Sequence, residues 1–172
     1  MEISIMTELN AERSRLLAPF DFEDELKQAR KEMRELVDYL STKYTTSTGE
    51  IYIAEAINGM GLKIITESTS NSITITTGNT VLFSVVAEDG TPEFKAELTR
   101  LLGIYLFTNE ARPDGYFDTK LSNEDEKKVS SFILVFNIPE LDFSTYLSID
   151  KLIRLSIEFN VPLPILRETI AY

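Results

Sequence analysis

The stretch LKIITESTSNSITITTGNTVLFSVV, residues 62–86, lies between two helix-forming regions and decides the fold class. Ile64, Ile65, Ile73, Thr74, Ile75, Thr76, Val81 and Val85 are β-branched, a residue type that fits a pleated, half-buried surface. Serine–asparagine and glycine–asparagine clusters break the stretch. The reading is three strands, at 62–67, 72–77 and 81–86. Loops this short favour antiparallel pairing of successive strands. Glu88, Asp89 and Gly90 end the sheet.

Both flanks are helical in pattern. Upstream, Leu26, Ala29, Met33, Leu36, Val37, Leu40 and Tyr44 recur at the spacing of one helical face, and Asp21 is placed to cap it. Lys27, Arg30, Lys31, Arg34 and Glu35 make the opposite side, which reads as solvated. Residues 1–20 read as an N-terminal arm and 45–49 as a turn, followed by a short helix over 50–58 that Gly59 and Gly61 terminate. The Gly59-Met60-Gly61 sequence lacks the third glycine and the strand-to-helix setting of a phosphate loop. Downstream, Pro92 opens a helix to about 107, 111–121 is a loop, and Ser122 with Asp125 starts a helix over 123–137 that Pro139 ends. Ser148 caps a further helix to 159, and Pro162 and Pro164 open a last short one. No repeat or linker interrupts this order. The expectation is one α+β domain over 21–172: helical, with a small three-stranded antiparallel sheet.

Composition narrows the chemistry. The 172 residues include no His and no Cys. Ser-His and Cys-His nucleophiles, thiolate chemistry and ordinary zinc sites are therefore excluded. Neither a G-x-S-x-G nor a Walker sequence is present. The net charge of -11 repels nucleic acid at long range, so no direct nucleic-acid partner is expected. The start carries no leader pattern, and the apolar run 132–136 is far too short to cross a bilayer. The expected location is cytoplasmic, without a membrane partner. A magnesium or calcium site is conceivable around Asp114, Asp118 and 123–126, but matches no calcium-loop pattern.

Arg100-Leu101-Leu102-Gly103-Ile104-Tyr105-Leu106-Phe107 resembles the active-site helix of the ImmA/IrrE metallopeptidases, which reads roughly HELGHYLL. There, two histidines four apart hold zinc and the glutamate activates water. On that register Arg100 replaces the first histidine, Leu101 the glutamate and Ile104 the second histidine. Downstream, Glu126, Phe132 and Pro139 match the family's E-x-x-A-N-x-F-A-x-x-L-L-M-P. Val129 and Ser130 stand for its Ala-Asn, and Ile133 for its second alanine. Glu126 falls where the family has its third zinc ligand. The resemblance covers roughly 30–167 and implies a zincin-like architecture whose metal ligands are lost.

The expected protein is a non-catalytic pseudo-metallopeptidase with no cofactor. In place of the metal, Arg100 is expected to pair with Glu126, while Leu101 and Ile104 fill the former cleft. Active relatives recognise and cleave helix-turn-helix repressors, often in prophages and mobile elements. The resemblance thus implies an antirepressor-like regulatory protein acting by binding such a regulator. Arg112, Asp114, Tyr116 and Phe117, on the 111–121 loop, are its candidate partner-binding residues. An acidic nucleic-acid mimic that inhibits a DNA-binding or defence protein remains the alternative. An enzyme using only carboxylates and another metal is a further one.

Overall fold

A computed structural model describes residues 22–45, 50–67, 69–108 and 112–172. The arm at 1–20, the Asp21 cap and residues 46–49 of the expected turn lie outside them. Among the described residues, six helices accompany a three-stranded sheet.

Helix α1 (Phe22–Tyr44) buries Leu26, Ala29, Met33, Leu36, Val37 and Leu40, the apolar stripe of the sequence. Helix α2 (Ile53–Gly59) starts later than its expected position. Ile51 is first used in a β-bridge to Thr45, and the Tyr52 N–H donates to the Tyr44 carbonyl at 3.0 Å. At Gly59 a Cβ would run into the Tyr44 phenol, so a larger residue there would have to displace that ring.

The sheet comprises β1 (Lys63–Ile65), β2 (Ser72–Ile75) and β3 (Val81–Ser84) in the order β1-β3-β2. Only β2 and β3 are antiparallel; β1 pairs with β3 in parallel, Ile64 opposite Phe83. The purely antiparallel expectation is thus corrected to a mixed sheet. Successive strands do alternate in direction, but β3 inserts between the first two. The six residues 66–71 can span roughly 20 Å, against about 10 Å for two strand spacings. Burial decides the order. Val81 and Phe83 of β3 are buried, whereas β1 exposes Lys63 and Ile65. The strand with the most to bury takes the centre.

Helix α3 (Pro92–Phe107) is capped by Thr91, whose Oγ1 accepts from the Phe94 N–H at 3.2 Å. Helix α4 (Asn123–Asn137) is capped by Ser122, which accepts from the Asp125 N–H at 3.2 Å. Helix α5 (Ile149–Phe159) is capped by Ser148, and Asn160 closes it in the left-handed region at φ 52°. Helix α6 (Leu163–Thr169) follows Pro162.

Helices α3 and α4 pack closely. Gly103 lets the Phe132 ring approach so near that a Cβ would stand 3.0 Å from it. Phe132 also meets Phe107 at 5.5 Å and Phe136 at 5.9 Å between ring centroids.

The other side of α4 meets α1, where the solvated reading holds for the exposed Lys27, Lys31 and Glu35 but not for Arg30 and Arg34. Arg30 donates to Ser131 Oγ at 3.3 Å and to the Thr169 carbonyl at 3.2 Å, with its guanidinium 4.0 Å from the Phe143 ring centroid. Arg34 donates to the Pro139 and Leu141 carbonyls, each at 2.5 Å. Two residues of that charged side are clamps on the C-terminal part of the chain. Among the described residues, no helix is long and apolar enough to cross a membrane.

Candidate functional site

Arg100, Leu101 and Ile104 occupy adjacent positions in the second half of α3, and Glu126 stands in the first turn of α4. Gly103 and Phe132 set the distance between the helices. Across it, Arg100 Nη2 lies 2.5 Å from Glu126 Oε1 and Nη1 lies 3.3 Å from Oε2. This is the two-pronged geometry of guanidinium with carboxylate. The side chains are 27% and 17% exposed, so the pair sits at the edge of the core. The expected pairing of Arg100 with Glu126 is present.

Leu101 and Ile104 are buried, as expected of apolar side chains on this helix. They do not fill the space beside them. A hollow of about 300 Å³ remains, lined by Arg100, Leu101, Ile104, Ile133, Phe159 and Asn71 among others. Ala96, one turn before Arg100, also lines it and has too short a side chain to close it. The expectation of a fully packed cleft is therefore corrected.

The residues present do not fit a zinc ion. Leu101 and Ile104 carry no donor atom, and both Glu126 oxygens face a guanidinium. Among the described residues, no three His, Cys, Asp or Glu side chains are placed to share a metal ion. Asp114 and Asp118 instead flank Arg112, at 3.4 and 3.5 Å.

The segment around Arg112, Asp114, Tyr116 and Phe117 is more ordered by hydrogen bonds than a loop reading implies. The Ile75 N–H donates to the Gly115 carbonyl at 2.9 Å, and the Phe117 N–H to the Ile73 carbonyl at 3.0 Å. The segment thus covers the outer edge of β2. Gly115 has φ 86°, and a Cβ there would stand 2.7 Å from the Ile75 carbonyl oxygen. Arg112, Asp114 and Tyr116 are exposed, but Phe117 is only 4% exposed, with its ring 5.8 Å from that of Tyr105. Phe117 anchors the segment from below and offers no surface to a partner.

Charge is unevenly housed around α4. Lys128 and Glu25 form an ion pair with side chains only 6% and 12% exposed. Burial pushes the nearby Asp125 carboxyl above its ordinary value, partly offset by the Lys128 charge and the Ser122 hydroxyl. Burial, and then the charge of Arg34, lowers Arg30 to about 10. The sequence marked Lys128 and Glu25 no differently from other charges, because their contact spans 103 residues. It also gave no sign of Asn71 or Phe159 at the hollow, since both arrive from other elements.

Comparison with protein-family models, with curated proteins and with solved structures finds no match for this chain.

Proposed function

We propose that this chain is a non-catalytic relative of the ImmA/IrrE metallopeptidases, an antirepressor-like regulator from a prophage or mobile element. It acts by binding a helix-turn-helix regulator and changing that regulator's hold on DNA. The observation that supports this reading is the Arg100–Glu126 pair. It bridges α3 and α4 at two of the positions that the resemblance assigns to metal ligands. A fixed positive charge there opposes a cation, and the apolar Leu101 cannot accept a proton from water. Recognition without cleavage is the activity left to such a chain.

The test is co-elution with the helix-turn-helix regulators of the source genome, followed by an operator-binding assay. The expected result is a stoichiometric complex with one regulator, altered operator binding and no cleavage product. Recovery of nucleic acid with no regulator would overturn the reading. Chelator-sensitive cleavage, or about one zinc per purified chain, would overturn its non-catalytic part. Tyr116→Ala is the informative surface variant on the 112–117 segment. Phe117→Ala removes a buried ring and reports on folding instead.

A further inference from the structure

Three hollows of about 580, 470 and 300 Å³ follow one another along α3. The first two share Glu50, Ile51, Pro92 and Lys95, and the second and third share Ala96, Ile133 and Phe159. Sharing those walls, they make a segmented groove that starts beside Tyr52 and Asp89 and ends beside Arg100 and Asn160. Ile51, Phe94, Ile133, Phe136 and Phe159 give it an apolar floor. Its rim is acidic. Asp38 from α1, Glu50 before α2, Glu55 from α2, Asp89 before α3 and Glu158 from α5 all line it and are all exposed. Among the described residues, the cations lining it are Lys95 and Arg100, and the second is matched by Glu126.

Charges of one sign along low-dielectric walls reinforce one another, so the groove concentrates the acidity of a chain whose net charge is -11. Its carboxylates are spaced along the groove. No three acidic side chains among the described residues are grouped to hold a metal ion. The complementary ligand is a set of separated cations on flexible apolar stems. Lysine and arginine are such side chains: the stem covers apolar surface while the head group reaches the rim. A second copy of the chain carries the same -11 and is repelled. We infer that the groove along α3 docks a lysine- and arginine-rich segment of a partner protein. Only the identity of the partner rests on the regulator-binding reading; the chemistry of the groove does not.

The experiment uses the full chain and a fluorescein-labelled peptide of alternating lysine and leucine, followed by anisotropy. Asp38→Lys with Glu158→Lys is compared with Glu35→Lys with Glu67→Lys. The two double variants have the same net charge, and the second pair lies outside the groove. The groove variant is expected to bind the peptide about tenfold more weakly than the parent, and the control less than about threefold more weakly. Equal weakening would mean unspecific attraction and would overturn the inference, as would unchanged binding by the groove variant. Should the lysine variant melt early, Asp38→Asn with Glu158→Gln keeps the side-chain shapes. It is read by the same criterion against Glu35→Gln with Glu67→Gln. The regulator reading stands or falls on co-elution, which does not involve this peptide.

Discussion

Helix α4 has two different neighbours. Towards α3 it offers Val129, Phe132, Ile133 and Phe136, and the seam closes on apolar groups and rings, with one ion pair at the edge. Towards α1, whose apolar stripe is also buried, it adds Lys128 and Ser131, which meet Glu25 and Arg30. Apolar packing rewards any well-filled arrangement, whereas directional contacts reward one alignment of the two helices. The first seam therefore holds α4 in the core, and the second fixes how α1 lies along it. Buried charge contributes little net stability compared with apolar groups of the same shape, yet losing one partner is costly.

The sharpest way to break the apolar seam is to introduce polar groups on α3. Leu101→Glu with Ile104→His should destabilise the protein by about 2–5 kcal/mol in urea unfolding, because both positions are buried. A variant that unfolds with the parent would show that the hollow beside them absorbs polar groups freely. On the polar seam, Lys128→Met leaves Glu25 without its cation in a nearly closed site and should cost about 2–3 kcal/mol. Adding Glu25→Gln should recover most of that loss. If it does not, the aliphatic stem of Lys128 matters more than its charge.

The pair at the edge should be worth less. Arg100→Ala, Glu126→Ala and the double variant should give a coupling of about 0.5–1 kcal/mol, the scale of a partly exposed but well-aligned pair. Additive effects would remove its claim to bridge the helices.

The smallest effect is on pH dependence. The raised carboxyl of Asp125 means that the folded protein holds this proton more tightly than the unfolded chain. As pH falls through the raised value towards the ordinary carboxylate range, Asp125 should add stability relative to Asp125→Asn. Asp142 works in the opposite sense. Hydrogen bonds from Ser144 lower its carboxyl, so the stability it contributes is lost as pH falls through that lowered value. Urea midpoints across acidic pH for Asp125→Asn and Asp142→Asn should therefore diverge from the parent in opposite directions. Parallel curves would remove the distinction.

The helices were largely legible because periodicity and caps are local. Leu26 through Leu40 spelled a buried face, and Ser122 and Ser148 each accept from a backbone N–H three residues on. Strand positions were legible, but strand order was not. The alternation of Ile73 and Ile75 specifies faces, while insertion of β3 depends on how much Val81 and Phe83 bury relative to β1. At the candidate site, the Arg100–Glu126 pairing followed from matching two helices to one pattern. The open space beside it did not, because Phe159 and Asn71 approach from elements far away in the chain. The contacts of Arg30 and Arg34 escape the sequence for the same reason. Charge pattern along one helix carries no information about carbonyls that lie 105 to 139 residues later.

Those arginine clamps also order events in time. Loop closure disfavours contacts between distant residues, and long-range contacts slow folding. Arg34 meets carbonyls 105 and 107 residues away, and Arg30 one 139 residues away. During synthesis, α1 emerges before the other described elements yet cannot complete its seat until residue 169 has been made. The seam of α3 with α4 needs far less chain and can form earlier. Conservative trimming at that seam should therefore slow refolding, while removal of the α1 clamps should mainly speed unfolding.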